Sequence, residues 1–218
     1  MKEKLSILTV LGILTLCRTG AVATTANTNY YVQNVQESIV VSEPIINETD
    51  QYVTVDLEKA TSSQSKTGEP VLPVVTKVFI LPLGSRITQV NVSFSEAKEI
   101  ALSKQVRPGP EPTPKTGAQA LQVPVKKDEV YESVELYPSN AFSYKIGAGV
   151  KGDERAFFLT IHCYPVRYSP GLNTLYFSES IDISVIYDEP AVPISLPDEY
   201  DMVIIAPSMF SEELQPLI

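Results

Sequence analysis

His162 and Cys163 stand side by side in the chain. A histidine beside a cysteine is the raw material of nucleophilic catalysis, because an imidazole within hydrogen-bond reach of a thiol can take its proton and leave a thiolate. Their setting argues against that use. Phe157, Leu159, Ile161 and Cys163 alternate with Phe158, Thr160, His162 and Tyr164, and neighbours in a strand point to opposite faces. The two side chains therefore diverge. Cys163, on the apolar face, reads as a buried structural cysteine, which behaves as a small hydrophobe. A Ser-His-Asp triad would have to use His162, the single histidine, and no G-x-S-x-G elbow is present. One histidine and no cysteine pair argue against a zinc site. No Walker loop and no G-x-G-x-x-G occurs, and Gly147-Ala148-Gly149 is too short to cradle a phosphate. Carboxylates are abundant, but their spacing singles out no pair. These residues imply a chain with no active site of its own, no metal and no cofactor.

The element that carries His162 and Cys163 is the most strongly patterned stretch of the chain, Phe157 to Tyr187. Ile181, Ile183, Val185 and Tyr187 repeat the alternation seen from Phe157 to Cys163. A period of two in β-branched and aromatic residues predicts half-buried strands. Ser169-Pro170-Gly171-Leu172 lies between them. Proline presets φ at the second turn position and glycine tolerates positive φ at the third, so a type II turn closing a hairpin is expected.

Further strands are expected at Tyr52–Glu58, with Val53, Val55 and Leu57 on one face; at Val74–Leu81, turned at Gly84; and at Ile87–Phe94, with Val90, Val92 and Phe94 inward. Tyr30–Val32 and Ile39–Val41 read as short edge strands, and Lys59–Thr67 as a polar linker. Glu96–Lys104 fits one helical turn or another strand. Val130–Tyr137 and Phe142–Ile146 are strand candidates around Pro138-Ser139-Asn140, and Gly147–Arg155 is expected to turn. Arg107–Thr116, RPGPEPTPKT, has a proline spacing that cannot join a ladder and should be an extended loop. Its readings are a solvated spacer or a recognition segment. Asn47-Glu48-Thr49 and Asn91-Val92-Ser93 match the glycosylation sequon, a pattern short enough to arise by chance. These elements predict an all-β, antiparallel β-sandwich.

The 218 residues carry 17 basic and 26 acidic side chains, a net charge of −9. Such an acidic surface makes nucleic acid an unsuitable partner. At the N-terminus, Lys2 and Lys4 precede an apolar run from Leu5 to Cys17, followed by Ala21-Val22-Ala23. This is a signal peptide over residues 1–23, with cleavage expected after Ala23 and membrane contact limited to the uncut leader. Arg18 fits that site awkwardly. A lipoprotein with Cys17 acylated is disfavoured by the bulky Leu16 before it; an uncleaved anchor is the third reading. Cleavage leaves Cys163 alone, so no internal disulfide is possible.

After the β body, Glu189 to Pro197 reads as a linker with prolines at 190, 193 and 197. The pattern then changes. Met202-Val203-Ile204-Ile205-Ala206 is a continuous apolar run, suited to a strand buried on both faces. Ser208 is a helix N-cap candidate, with Glu212 and Glu213 early in the expected helix and Pro216 a flaw in it. Residues 198–218 thus read as the truncated start of an α/β domain, because a lone parallel strand and helix cannot bury themselves.

Along most of the chain, ordered blocks resemble the N-terminal part of gingipain-type cysteine peptidases. They are Gly68-Glu69-Pro70-Val71-Leu72-Pro73, Leu81-Pro82-Leu83-Gly84, Tyr137-Pro138, Lys151-Gly152, Tyr164 to Pro170 and Leu175-Tyr176-Phe177, then Tyr200 to Pro207 with Phe210 and Leu214 to Leu217. The resemblance implies that residues 30–188 are a propeptide, a β-sandwich packed over the catalytic cleft of its own peptidase domain in cis until proteolysis removes it. It implies no catalytic role for His162 or Cys163. In family members that cleave after basic residues, a basic side chain can fill the specificity pocket. The candidates are Lys151 and Arg155, beside Gly147, Gly149 and Gly152, and Arg107 and Lys115 in the proline-rich stretch. The plainer alternative for each is a solvated loop charge. The activation cut is expected in the linker, about Asp188 to Pro197, with Asp188, Pro190 and Pro197 as its markers. A second reading from another class is an exported β-sandwich binding or adhesion module without an enzymatic partner. The apolar run at Met202–Ala206 speaks against it.

Overall fold

The structure, a computed structural model, describes residues 29–111 and 127–192 together with Ile194, Pro207 and Met209. In chain order its strands are β1 (Tyr30–Val40), β2 (Ile45–Glu48), β3 (Val53–Asp56), β4 (Ser62–Gln64), β5 (Leu72–Pro82), β6 (Arg86–Phe94), β7 (Lys98–Ala101), β8 (Phe142–Lys151), β9 (Glu154–Cys163), β10 (Val166–Ser169), β11 (Thr174–Phe177) and β12 (Ser180–Pro190). A single 3-10 turn, Glu129–Glu132, is the one helical element named among the described residues.

Two sheets form the body, one in the order β1-β12-β6 and the other β4-β5-β9-β8, with all their pairings antiparallel. The first contributes Ile181, Ile183, Val185 and Tyr187 from β12, and the second Phe79 and Leu81 from β5 with Leu159, Ile161 and Cys163 from β9. These side chains form one core, so the sheets face each other as a sandwich. Leu159, Ile161 and Val185 are fully buried, and each such side chain stabilises the fold by about 1.5–3 kcal/mol. At one margin, Lys77 Nζ of β5 reaches Glu37 Oε1 of β1 across 2.6 Å, joining the two sheets. A smaller sheet, β10-β11-β7, and the β2–β3 pair extend the body.

The antiparallel all-β expectation holds, and several local expectations are corrected. Phe157–Tyr187 is not one hairpin. Its first strand, β9, pairs with β5 and β8, whereas β12 pairs with β1 and β6. The chain changes sheets after Cys163, and the intervening turn closes only the β10–β11 hairpin. That turn is not type II: the left-handed residue is Asn173 at φ 50, and Asn173 N–H bonds the Pro170 carbonyl at 3.2 Å. The fragments at Tyr30–Val32 and Ile39–Val41 belong to one eleven-residue strand, continuous because β12 offers it a full-length partner. The polar stretch 59–67 contains β4, paired with β5. Val130–Tyr137 forms the 3-10 turn and an isolated bridge from Tyr137 to Tyr168 rather than a strand. Gly147 to Gly149 lie inside β8; the turn is at Gly152 and Asp153, with Gly152 at the positive φ of 62 that a tight hairpin needs at its first position. The expected linker also begins later, since β12 runs through Pro190.

Candidate functional site

The His162–Cys163 geometry follows from β9. Cys163 is fully buried, and burial pushes its thiol up to about 11. His162 faces the other way, with Nδ1 3.1 Å from Thr76 Oγ1. His162 is therefore not placed to act as the base for this thiol, and a thiol held protonated is a poor nucleophile. Among the described residues, no group of three or more His, Cys, Asp or Glu side chains is placed to hold a metal ion.

The proline-rich stretch is not a free spacer at its beginning. Val53 N–H bonds Gln105 O at 3.0 Å and Arg107 N–H returns to Val53 O at 2.9 Å. Val71 N–H takes the Arg107 carbonyl at 3.0 Å, and Gly109 bonds Glu69 O through its N–H and Gly68 N–H through its carbonyl. Val106, Pro108 and Gly109 are buried. Proline leaves a carbonyl to donate to, and the residues between the prolines keep their N–H groups, so the segment docks despite its composition. Gly109 is required by close approach: a Cβ there would overlap the carbonyl oxygen of Lys66.

The chain returns beside the point it left. Asp128 N–H bonds Gly68 O at 3.0 Å, so Gly68 is hydrogen-bonded to both Gly109 and Asp128. Asp128 caps the 3-10 turn through its carboxylate to Val130 N–H. Tyr131, in that turn, donates its hydroxyl to Val106 O at 2.7 Å. Lys127 lies over the rings of Tyr52 and Tyr131 at 5.4 and 5.6 Å and donates to Gln105 Oε1 at 2.6 Å. Nearby, Tyr137 donates to Glu69 Oε2 at 2.6 Å and accepts from Gln64 Nε2 at 2.8 Å. Burial first, then the Glu69 hydrogen bond, holds the Tyr137 phenol well above the usual tyrosine range.

The basic candidates fall into two places. Lys151 and Arg155 flank the Gly152-Asp153 tip of the β8–β9 hairpin, and both are exposed. Arg107 has an exposed side chain on the docked backbone. Lys115 lies outside the described residues, on the stretch between the Gly109 and Asp128 anchors. The structure therefore does not bring the four together. The anchoring set of Val106, Gly109, Asp128 and Tyr131 was missed from sequence. Of the linker markers, Asp188 and Pro190 are in β12, paired with Val32 and Tyr30, and Pro197 lies outside the described residues, as do Ala23 and the strand and helix expected at 198–218 apart from Pro207 and Met209. Asn47 and Asn91 are exposed on β2 and β6. Among the described residues no helix is long and apolar enough to cross a membrane.

Taken together, the two facing antiparallel sheets define a β-sandwich domain. Residues 27–202 match the Propeptide_C25 family, and the chain belongs to that family, the gingipain-type propeptides. Two solved structures share the fold. The first, a complex of Porphyromonas gingivalis RgpB pro- and mature domains, is 13% identical with a TM-score of 0.54, covering 84% of this chain and 90% of that one. The second, which gives structural insight into zymogenic latency of gingipain K from Porphyromonas gingivalis, is 16% identical with a TM-score of 0.57, covering 76% of this chain and 96% of that one. No curated protein sequence matches the chain. The propeptide reading is thereby favoured over the adhesion module.

Proposed function

We propose that this propeptide keeps a gingipain-type cysteine endopeptidase latent by binding the catalytic domain that follows it in the same precursor. The family match over residues 27–202, on a β-sandwich body, carries the reading. The precursor is exported through a signal peptide cut after Ala23, and the protein acts outside the cell or at its surface. Residues 198–218 begin the catalytic domain. Activation cuts the linker beyond the end of β12, between Pro190 and Pro197, because the backbone up to Pro190 is held in a ladder that a protease cannot enter without opening it.

Cleft entry needs a segment that leaves the scaffold, extends, and is held at its base. The stretch carrying Lys115 meets the last condition best, since its flanks are bonded to one another through Gly68. The Lys151–Arg155 tip is a tight hairpin with little length to run along a cleft. The decisive experiment mixes the exported chain with the mature peptidase processed from the same precursor. Stoichiometric loss of peptidase activity supports latency. Full activity at saturating chain, with glycan binding instead, supports the adhesion module.

A further inference from the structure

β8 is an edge strand whose core side is left open. Its register on β9 sets Tyr144 against Ile161, Ile146 against Leu159 and Ala148 against Phe157, so these side chains share the inward face of the sheet with the core. Burial ends within one strand. Ile161 and Leu159 are 0% exposed, whereas Tyr144, Ile146 and Val150 are 48%, 53% and 63% exposed. The strand count explains the step, because a four-stranded sheet faces one of three strands. At one margin the Lys77–Glu37 pair ties β5 to β1. At the other, Val92 of β6 and Phe142 and Tyr144 of β8 line one open groove. The apolar row of β8 therefore lies where the facing sheet ends.

The other three edges of these two sheets differ. Val32 and Val40 of β1 are singly more exposed, but Asn34, Gln36 and Ser38 separate them on that face. Lys59 Nζ also donates to the Val40 carbonyl at 2.8 Å. The β6–β12 ladder has a register break between Ile186 and Tyr187, and β4 has three residues. Bulges, covering side chains and short length are the usual guards of a free edge. β8 runs for ten residues in unbroken register on β9, with no proline and no inward charge. Free backbone donors and acceptors beside a continuous apolar row form a template for one more strand.

The strand that suits this edge is β8 itself. In antiparallel pairing about a two-fold axis at Gly147, Tyr144 meets the second copy's Val150 and Ile146 meets its Ala148. Both apolar rows then lie on one face, with the aromatic–β-branched pairs that stabilise a ladder. Lys145 falls opposite Gly149 and Lys151 opposite Ser143, so no lysine faces another. The axis itself is clear, since a Cβ on Gly147 would meet nothing within 4 Å. From Phe142 to Gly152 the sequence holds no carboxylate, so two chains of net charge −9 meet where neither is acidic. Such self-complementarity is what a two-fold interface requires.

We propose that the free edge of β8 is a self-association surface, on which a second copy of this chain pairs antiparallel and joins the two β4-β5-β9-β8 sheets into one of eight strands. The inference uses no part of the latency reading and can fail without it.

Sedimentation of the exported chain over a concentration series tests it, wild type against Ile146→Lys and the opposite-edge control Val40→Lys. Circular dichroism and melting check each fold. Wild type and Val40→Lys should dimerise alike, and Ile146→Lys should raise the dissociation constant about tenfold or more. Amide exchange on the wild-type chain supplies a reading free of mutation, with β8 becoming protected as concentration rises. A wild-type chain that stays monomeric throughout the series overturns the proposal. So does dimerisation that Ile146→Lys leaves unchanged, or that Val40→Lys weakens as much. Protection of β8 that appears only when the mature peptidase is added assigns the edge to that enzyme and overturns self-association as well.

Discussion

Tyr131 and Val106 stand on either side of the 112–126 stretch, and the Tyr131 hydroxyl donates to the Val106 carbonyl across 2.7 Å in a buried setting. The bond joins the departing and returning chain. Tyr131→Phe keeps the ring and leaves that carbonyl without this donor, a loss of about 1–2 kcal/mol. Urea unfolding should show the lowered midpoint with an unchanged slope; a slope change would mean that the surface exposed on unfolding, and not stability alone, had altered.

Gly109→Ala should cost on the order of 2 kcal/mol or more, because the new methyl collides with the Lys66 backbone carbonyl, which cannot rotate away as a side chain can. Thermal unfolding measures it. In the latency assay the same variant should inhibit less well than its residual folded fraction predicts, because the junction that holds the excursion is displaced.

Cys163 should be silent to a disulfide reagent in the native chain at neutral pH and react fully in urea, since it is buried and its thiol is raised to about 11. The folded value lies above the ordinary thiol value of 9.0. The associated stability is therefore fully present below about pH 9 and is lost as pH rises through about 11. The buried phenols of Tyr131, Tyr137 and Tyr168, also raised by burial, act in the same direction at alkaline pH. Cys163→Ala should flatten the thiol part of that loss, and Cys163→Ser should destabilise by about 1–3 kcal/mol by placing a hydroxyl in an apolar site.

Between the basic candidates, Lys115→Ala should weaken inhibition of a peptidase that cleaves after basic residues, with Lys151→Ala, Arg155→Ala and Arg107→Ala close to wild type. Inhibition constants for the four variants check this. A large effect at Lys151 alone would assign the blocking role to the β8–β9 tip instead.

The strands were legible because burial writes itself locally as a period of two; Leu159, Ile161 and Cys163, like Ile181, Ile183 and Val185, show it in any short window. Partner choice is not local. Nothing between Cys163 and Ser180 announces that the chain changes sheets, so one hairpin was the natural reading of a stretch that serves two layers. The docking of Arg107 to Gly109 was hidden for a related reason. Proline spacing describes what the segment cannot do with a regular strand, whereas its bonds run singly to Val53, Glu69 and Val71, far away in sequence. Of the candidate site, the residue types were readable and their grouping was not, because Lys151 and Arg155 acquire their position from a tip that only the β8–β9 register defines.

The first strand of the body lies hydrogen-bonded along the last, Tyr30 against Pro190 and Val40 against Ser180. One further backbone bond, Ala191 N–H to Asn29 O at 2.8 Å, extends this seam just past Pro190. The body's two ends are laced to each other, so the sandwich closes on itself and does not lean on the chain that continues past it.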